Sequence, residues 1–305
     1  MITEDVLTYY TRPGPLTSAG VHHAALRELP STVPDLLQAV QGLLIHKHLT
    51  WAYDVPLTEE HETTSNVRSI ERFLDLLLSD GRPLTEARAP AERLGGTCRD
   101  FTALTVAALR SHDVPARARC GFGDYFPGDT MEDHWVAEYW STDEHRWVLA
   151  DAQIDARQRE LFGVELDLTD IPRDRFVVAG LAWQHCRAGR DDPNRYGLSA
   201  INEFGGWWIA ANLVRDVAAL SNLELLPWDV WGAMPTPEEE ITPEITTLFD
   251  ELAEITANPD TAADSRAHYQ RDDRLRVHGL VRNAARHQLE PIIDTATPTS
   301  APSTL

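Results

Sequence analysis

Residues 133–153 read DHWVAEYWSTDEHRWVLADAQ, two aromatic-rich runs separated by a short polar stretch. Strand alternation sends His134, Val136, Glu138 and Trp140 to one face of the first run, and Trp135, Ala137 and Tyr139 to the other. In the second run Trp147, Leu149 and Asp151 share a face, so a carboxylate closes an otherwise apolar row. STDE between the runs is a hairpin signal. With the hairpin closed, His134 near the start of one strand lies beside Asp151 near the end of the other. A third strand-like run, ARARCGFGDYF (116–126), comes just before them. Consecutive short-linked strands after a helix predict an antiparallel sheet with helices on one side, an α+β arrangement.

That helix is read from residues 94–123, LGGTCRDFTALTVAALRSHDVPARARCGFG. Phe101, Leu104, Ala108 and Leu109 recur at helical spacing, and the pattern ends before Pro115. Cys98 stands on the first turn, behind a Gly95-Gly96 pair read as flexible. Unpaired N–H groups at a helix start favour a thiolate and can bind the oxyanion of a tetrahedral intermediate. A cysteine nucleophile needs a base, and the base an orienting group. His134 and Asp151 supply both, in the chain order Cys-His-Asp, and the paired thiol is expected to ionise below the free cysteine value. Asp100 reads as a first-turn complement to the helix dipole.

GTCRDFTAL, DHWVAEYW and WVLADAQID together resemble the transglutaminase-like superfamily, with its papain-type core. The resemblance implies Cys98 as nucleophile, His134 as general base and acid, and Asp151 as orienter. PRDRFVVAGLAWQHCRAG and NLVRDVAALSNLELLPWDVWG are similar to a bacterial branch of transglutaminase-domain proteins. Trp51 and Tyr53 are the upstream candidates for completing the oxyanion hole, and Gln153 is a candidate substrate contact. No paired CxxC zinc motif and no calcium-loop pattern occurs, so no metal and no cofactor is expected.

Around this core the chain is helical. VPDLLQAVQGLLIHKHL puts Leu36, Leu37, Val40, Leu43 and Leu44 at helical spacing, and SNVRSIERFLDLLLSDGRP does so with Ser65 as its cap. Later helices are expected in LSAINEFGGWWIAANLVRDVAALSN from Ser199, in TPEEEITPEITTLFDELAEITANP from near Pro237, and over Arg274–Gln288. The expected organisation is a helical N-terminal part (1–90), a transglutaminase-like catalytic core (91–155), a helical C-terminal part (156–290) and a disordered tail (291–305). Trp207, Trp208, Trp228 and Trp231 are expected in the core, with a substrate wall as the alternative, and His22, His23, His46 and His48 at the surface or partly buried.

The chain has 305 residues, 43% hydrophobic and 25% charged, with a formal charge of −21. That charge argues against nucleic acid, which needs clustered cations. Lys47 is the sole lysine. No apolar run reaches the ~20 residues of a membrane span, and no signal peptide is read at the N-terminus. Cys98, Cys120 and Cys186 lack tight spacing, which suits reduced thiols in a cytoplasm. The sequence therefore leads to a cysteine acyltransferase or hydrolase acting on an amide or thioester, free or carried on a carrier protein. The alternatives are an off-loading Dieckmann cyclase of natural-product biosynthesis, working on a carrier-bound polyketide–peptide thioester, and a non-catalytic binding module of the same fold.

Overall fold

The central hairpin forms as the alternation requires. In the computed structural model, which describes residues 2–293, β3 (Ala116–Gly123), β4 (Met131–Ser141) and β5 (Arg146–Ala150) are antiparallel neighbours in a mixed sheet. β6 (Phe176–Val178) extends the sheet beyond β3, and β7 (Tyr196–Leu198) with β8 (Glu203–Phe204) extends it beyond β4. β5 and β7 share one edge of β4. β7 pairs with Met131 and Glu132, β5 with Ala137 to Ser141, and residues 133–136 between them have no strand partner on that edge.

The chain begins with α1 (Glu4–Thr11), α2 (His23–Arg27) and α3 (Val33–Gln41). β1 (Leu44–His46), α4 (Glu59–Thr64) and α5 (Ile70–Leu77) follow, and then β2 (Leu94–Gly96) leads into α6 (Cys98–Ser111). β1 and β2 form a separate parallel pair. After the hairpin come α7 (Ala156–Phe162), α8 (Ala179–Arg187), α9 (Gly206–Leu220), α10 (Pro243–Thr256) and α11 (Ser265–Arg271). A small antiparallel sheet of β9 (Asp229–Val230), β10 (Leu280–Asn283) and β11 (Gln288–Pro291) closes the described chain.

α6 is buried along its whole length. Its Phe101, Leu104 and Ala108 join Ala116, Ala118 and Cys120 of β3 and Trp135 and Ala137 of β4 in one apolar cluster, with Leu36, Leu37 and Val40 of α3. The alanines facing each other let helix and sheet approach closely, and each large side chain fully buried there stabilises the fold by about 1.5–3 kcal/mol. The opposite face of β3 is ionic. Arg117 Nε donates to Glu138 at 2.6 Å, and Arg119 forks onto Asp216 of α9 at 3.0 and 2.9 Å. Burial alone would raise Glu138, but Arg117, Arg119 and Arg173 hold its carboxyl well below the usual carboxylate range.

Several helix ends differ from expectation. α3 stops at Gln41, and Leu44–His46 is strand rather than a further helical turn. Ser69, not Ser65, caps α5, its hydroxyl accepting from Arg72 N. α9 starts at Gly206, while Ser199 Oγ instead donates to Glu132 at 2.6 Å. α10 starts at Pro243 under a Thr242 cap. The helix expected over Arg274–Gln288 is replaced by the β10–β11 hairpin, with Val281 and Asn283 facing inward. From residue 294 onward, the tail expected to be disordered lies outside the described residues. Among those described, no helix is long and apolar enough to cross a membrane.

Candidate active site

Cys98 is the first residue of α6. Asp100 fixes the turn that carries it, its Oδ2 accepting from Thr97 N (2.7 Å) and from the Thr97 hydroxyl (3.1 Å). Gly95 before it is not a flexible joint. A Cβ there would fall 2.5 Å from the His61 backbone, so the glycine admits α4 against β2.

The interrupted edge of β4 shapes the site. Cys120 N–H turns away from β4 to Asp216 Oδ1, so Cys120 and Trp135 form a non-hydrogen-bonded pair and Trp135 N–H points into the gap. There it meets the Cys98 sulfur. His134 stands in the same gap. Its Nε2 lies 2.8 Å from Asp151 Oδ2, just past the end of β5. Asp151 also accepts from Tyr125 Oη (3.1 Å) and Gln153 N (2.8 Å), which fixes the carboxylate on both oxygens. Phe126, Tyr125 and Phe176 box the imidazole, with ring centroids 4.9, 5.9 and 6.3 Å away.

Cys98 and His134 line one cavity of about 580 Å³. Among the described residues no hydrogen bond joins thiol to ring; with Nε2 on Asp151, Nδ1 is the nitrogen left for the sulfur. Burial pushes the Cys98 thiol well up, the Asp133 charge adds to this, and Trp135 N–H opposes it. A thiol ionising below the free value is therefore not what this pocket makes. Asp133 also lines the cavity; its own carboxyl is raised by burial against the nearby Arg215 charge and a 2.6 Å hydrogen bond from Asn212.

The remaining candidates divide. Gln153 lines the cavity, its Oε1 buried without a partner and its Nε2 on Gln158. Trp51 and Tyr53 lie outside the lining. Trp51 is 60% exposed, with its indole N–H on the backbone of His48, and Tyr53 Oη accepts from Gln158. They end the 3-10 turn Lys47–Tyr53 that follows β1, and the first residues of that turn, Lys47, His48 and Leu49, do line the cavity. Trp207, Trp208 and Trp228 line the cavity, and Trp208 also belongs to the buried cluster that holds Trp231, whose N–H is on Leu275 O. His46, partly buried as expected, and His48 also line the cavity.

Residues 61–152, under a third of the chain, match the model of the transglutaminase-like superfamily. This stretch is similar to the transglutaminase-like core. The match contains Cys98, His134 and Asp151, whereas most of the cavity wall comes from outside it. Among solved structures, a proposed cysteine protease from Cytophaga hutchinsonii is 16% identical, with 58% of this chain covering 46% of that one at a TM-score of 0.33, and this likeness carries no argument. The present chain thus spans under half of that protein's length. No curated protein matches. The mixed helix and sheet architecture is the α+β class that the sequence pattern requires.

Proposed function

We propose that this protein is a cysteine-dependent acyltransferase or hydrolase that forms an acyl-enzyme on Cys98 from an amide or thioester. The observation that carries the reading is the 2.8 Å His134–Asp151 pair opening on the same cavity as a helix-start thiol. Asp151 holds Nε2–H, which leaves Nδ1 as the basic nitrogen. As Cys98 Sγ bonds to the carbonyl carbon, its proton passes to His134, and the carbonyl π pair moves onto oxygen. His134 then protonates the departing amine or thiol while the carbonyl re-forms. Water or an amine attacks the acyl-cysteine in the second half, giving up its proton through the same ring. A resting thiol that burial keeps protonated fits this order, because the proton leaves only as the nucleophile attacks.

The wall favours an apolar acyl group, with Trp207, Trp208, Trp228, Leu198 and Ile201 lining it. That lining also supports the cyclase reading. There a carbanion of the bound chain attacks the thioester carbonyl, a C–C bond closes a ring, and the thiolate leaves. The test is intact-mass measurement after incubation with a panel of amides and carrier-bound thioesters in a cytoplasm-like reducing buffer. An acyl adduct on the wild type that is missing from Cys98→Ala supports the acyl-enzyme. A cyclised product one water lighter than the hydrolysed chain selects the cyclase. No adduct and no turnover across the panel favours the binding module.

A further inference from the structure

Three imidazoles line the cavity beside Cys98, those of His46, His48 and His134, and His46 and His134 are held in contrasting ways. His134 is tied through Nε2 to Asp151. His46 has a buried Nδ1 without a partner, and its ring is half-buried on the cavity wall. An unused polar nitrogen costs desolvation energy unless something meets the ring. β1 lies parallel to β2 with His46 opposite Gly96, two residues before Cys98. Adjacent strands lie about 4.8 Å apart, so the imidazole stands alongside the start of α6. Burial, then the charges of His48, His134 and Lys47, depress its basicity well below the ordinary imidazole value. The ring is therefore neutral at neutral pH and carries one N–H.

We propose that His46 is a further catalytic residue, donating its ring N–H to the carbonyl oxygen of the substrate as Cys98 attacks. The backbone N–H of Cys98, which has no acceptor within its own helix, is the companion donor. When the C–S bond forms, the π pair on oxygen is met by both donors; when the pair returns, the leaving group departs with the proton held by His134. His46 transfers no proton. A neutral imidazole suits this task, because a cationic ring would compete with His134 for control of the proton. The inference rests on the reading of Cys98 as nucleophile, and it gives a lining residue, His46, the place expected for Trp51 or Tyr53, which are not in the lining.

Two probes of one thiol test it. Iodoacetamide alkylates sulfur without building charge on a carbonyl oxygen, whereas p-nitrophenyl acetate acylates sulfur through a tetrahedral oxyanion. In His46→Leu, acylation of Cys98 is expected to fall about 10²–10³-fold, the cost of removing one oxyanion donor. Iodoacetamide alkylation should stay within about threefold of wild type with the same pH midpoint, which also reports an intact fold. His46→Asn, which keeps an N–H, should recover part of the acylation; His46→Phe gives the first readout again if the leucine variant does not fold. Acylation that survives in His46→Leu, or alkylation that falls together with it, overturns the proposal. Wild-type protein that neither acylates nor alkylates at Cys98 overturns the nucleophile reading, and this one with it.

Discussion

Cys98 and Cys120 belong to the same apolar cluster, and burial pushes both thiols well up, with the Asp133 charge second in each case. Both shifts have the same direction. The two thiols differ in what surrounds them. Cys120 is in the middle of β3, wholly buried, and its own N–H is committed to Asp216. Cys98 begins a helix, takes a backbone N–H on its sulfur, and opens on a cavity that also holds His134. Burial thus shifts both thiols in the same direction, so a proton acceptor and an approach for the carbonyl are what would separate the proposed nucleophile, Cys98, from a packing residue.

The contrast breaks most visibly by truncation. Cys98→Ala is expected to lower acyl-adduct formation at least about a thousandfold, while Cys120→Ala leaves it within a few-fold, both read by intact mass. Asp151→Asn should come next, reducing turnover by up to about 10⁴-fold with circular dichroism unchanged, because the imidazole loses the carboxylate that sets its tautomer. A subtler change sharpens the comparison through pH. The Asp133 carboxylate disfavours a second negative charge on Cys98, so Asp133→Asn should move the iodoacetamide midpoint of Cys98 to lower pH. Peptide mapping should show Cys120 unlabelled in both proteins; a midpoint that stays put, or label appearing on Cys120, contradicts the account. The smallest effect is on stability. Cys120→Ala leaves a small void in a fully buried layer and should cost about 1 kcal/mol by urea unfolding, more than Cys98→Ala at the cavity rim.

The parts of this arrangement legible in the sequence were those with a local signature. Period-two alternation through His134 and Trp147 gave the β4–β5 hairpin, and its register brings His134 to Asp151. The β1–β2 pair was not legible. Each strand has three residues, and Leu43 and Leu44 continue the spacing of α3 past its true end at Gln41. The meaning of His46 depends on that pairing across half a hundred positions, so no window on the sequence contains it. The β10–β11 hairpin reads as helix in the sequence because Ala284 and Ala285, good helix formers, sit in its turn. Its strands are held from far away: Arg68 binds Asp229 at 2.7 Å and Glu290 at 2.7 Å, while Asn283 binds Glu290 at 3.0 Å. Tertiary pairing overrides local preference there.

The shared edge of β4 has a further consequence, for the tolerance of the chain to insertions. β7 grips the strand at Met131–Glu132 and β5 grips it from Ala137 onward, so its register is clamped on both sides of the gap. A residue added in the turn between Ser141 and Arg146 lengthens a loop and leaves both ladders in step. A residue added between Asp133 and Val136 has no such outlet. Either one ladder breaks, or every side chain on one side of the insertion changes face. His134 would then turn towards Phe101 and the alanines under α6, and Trp135 would be thrust into the cavity.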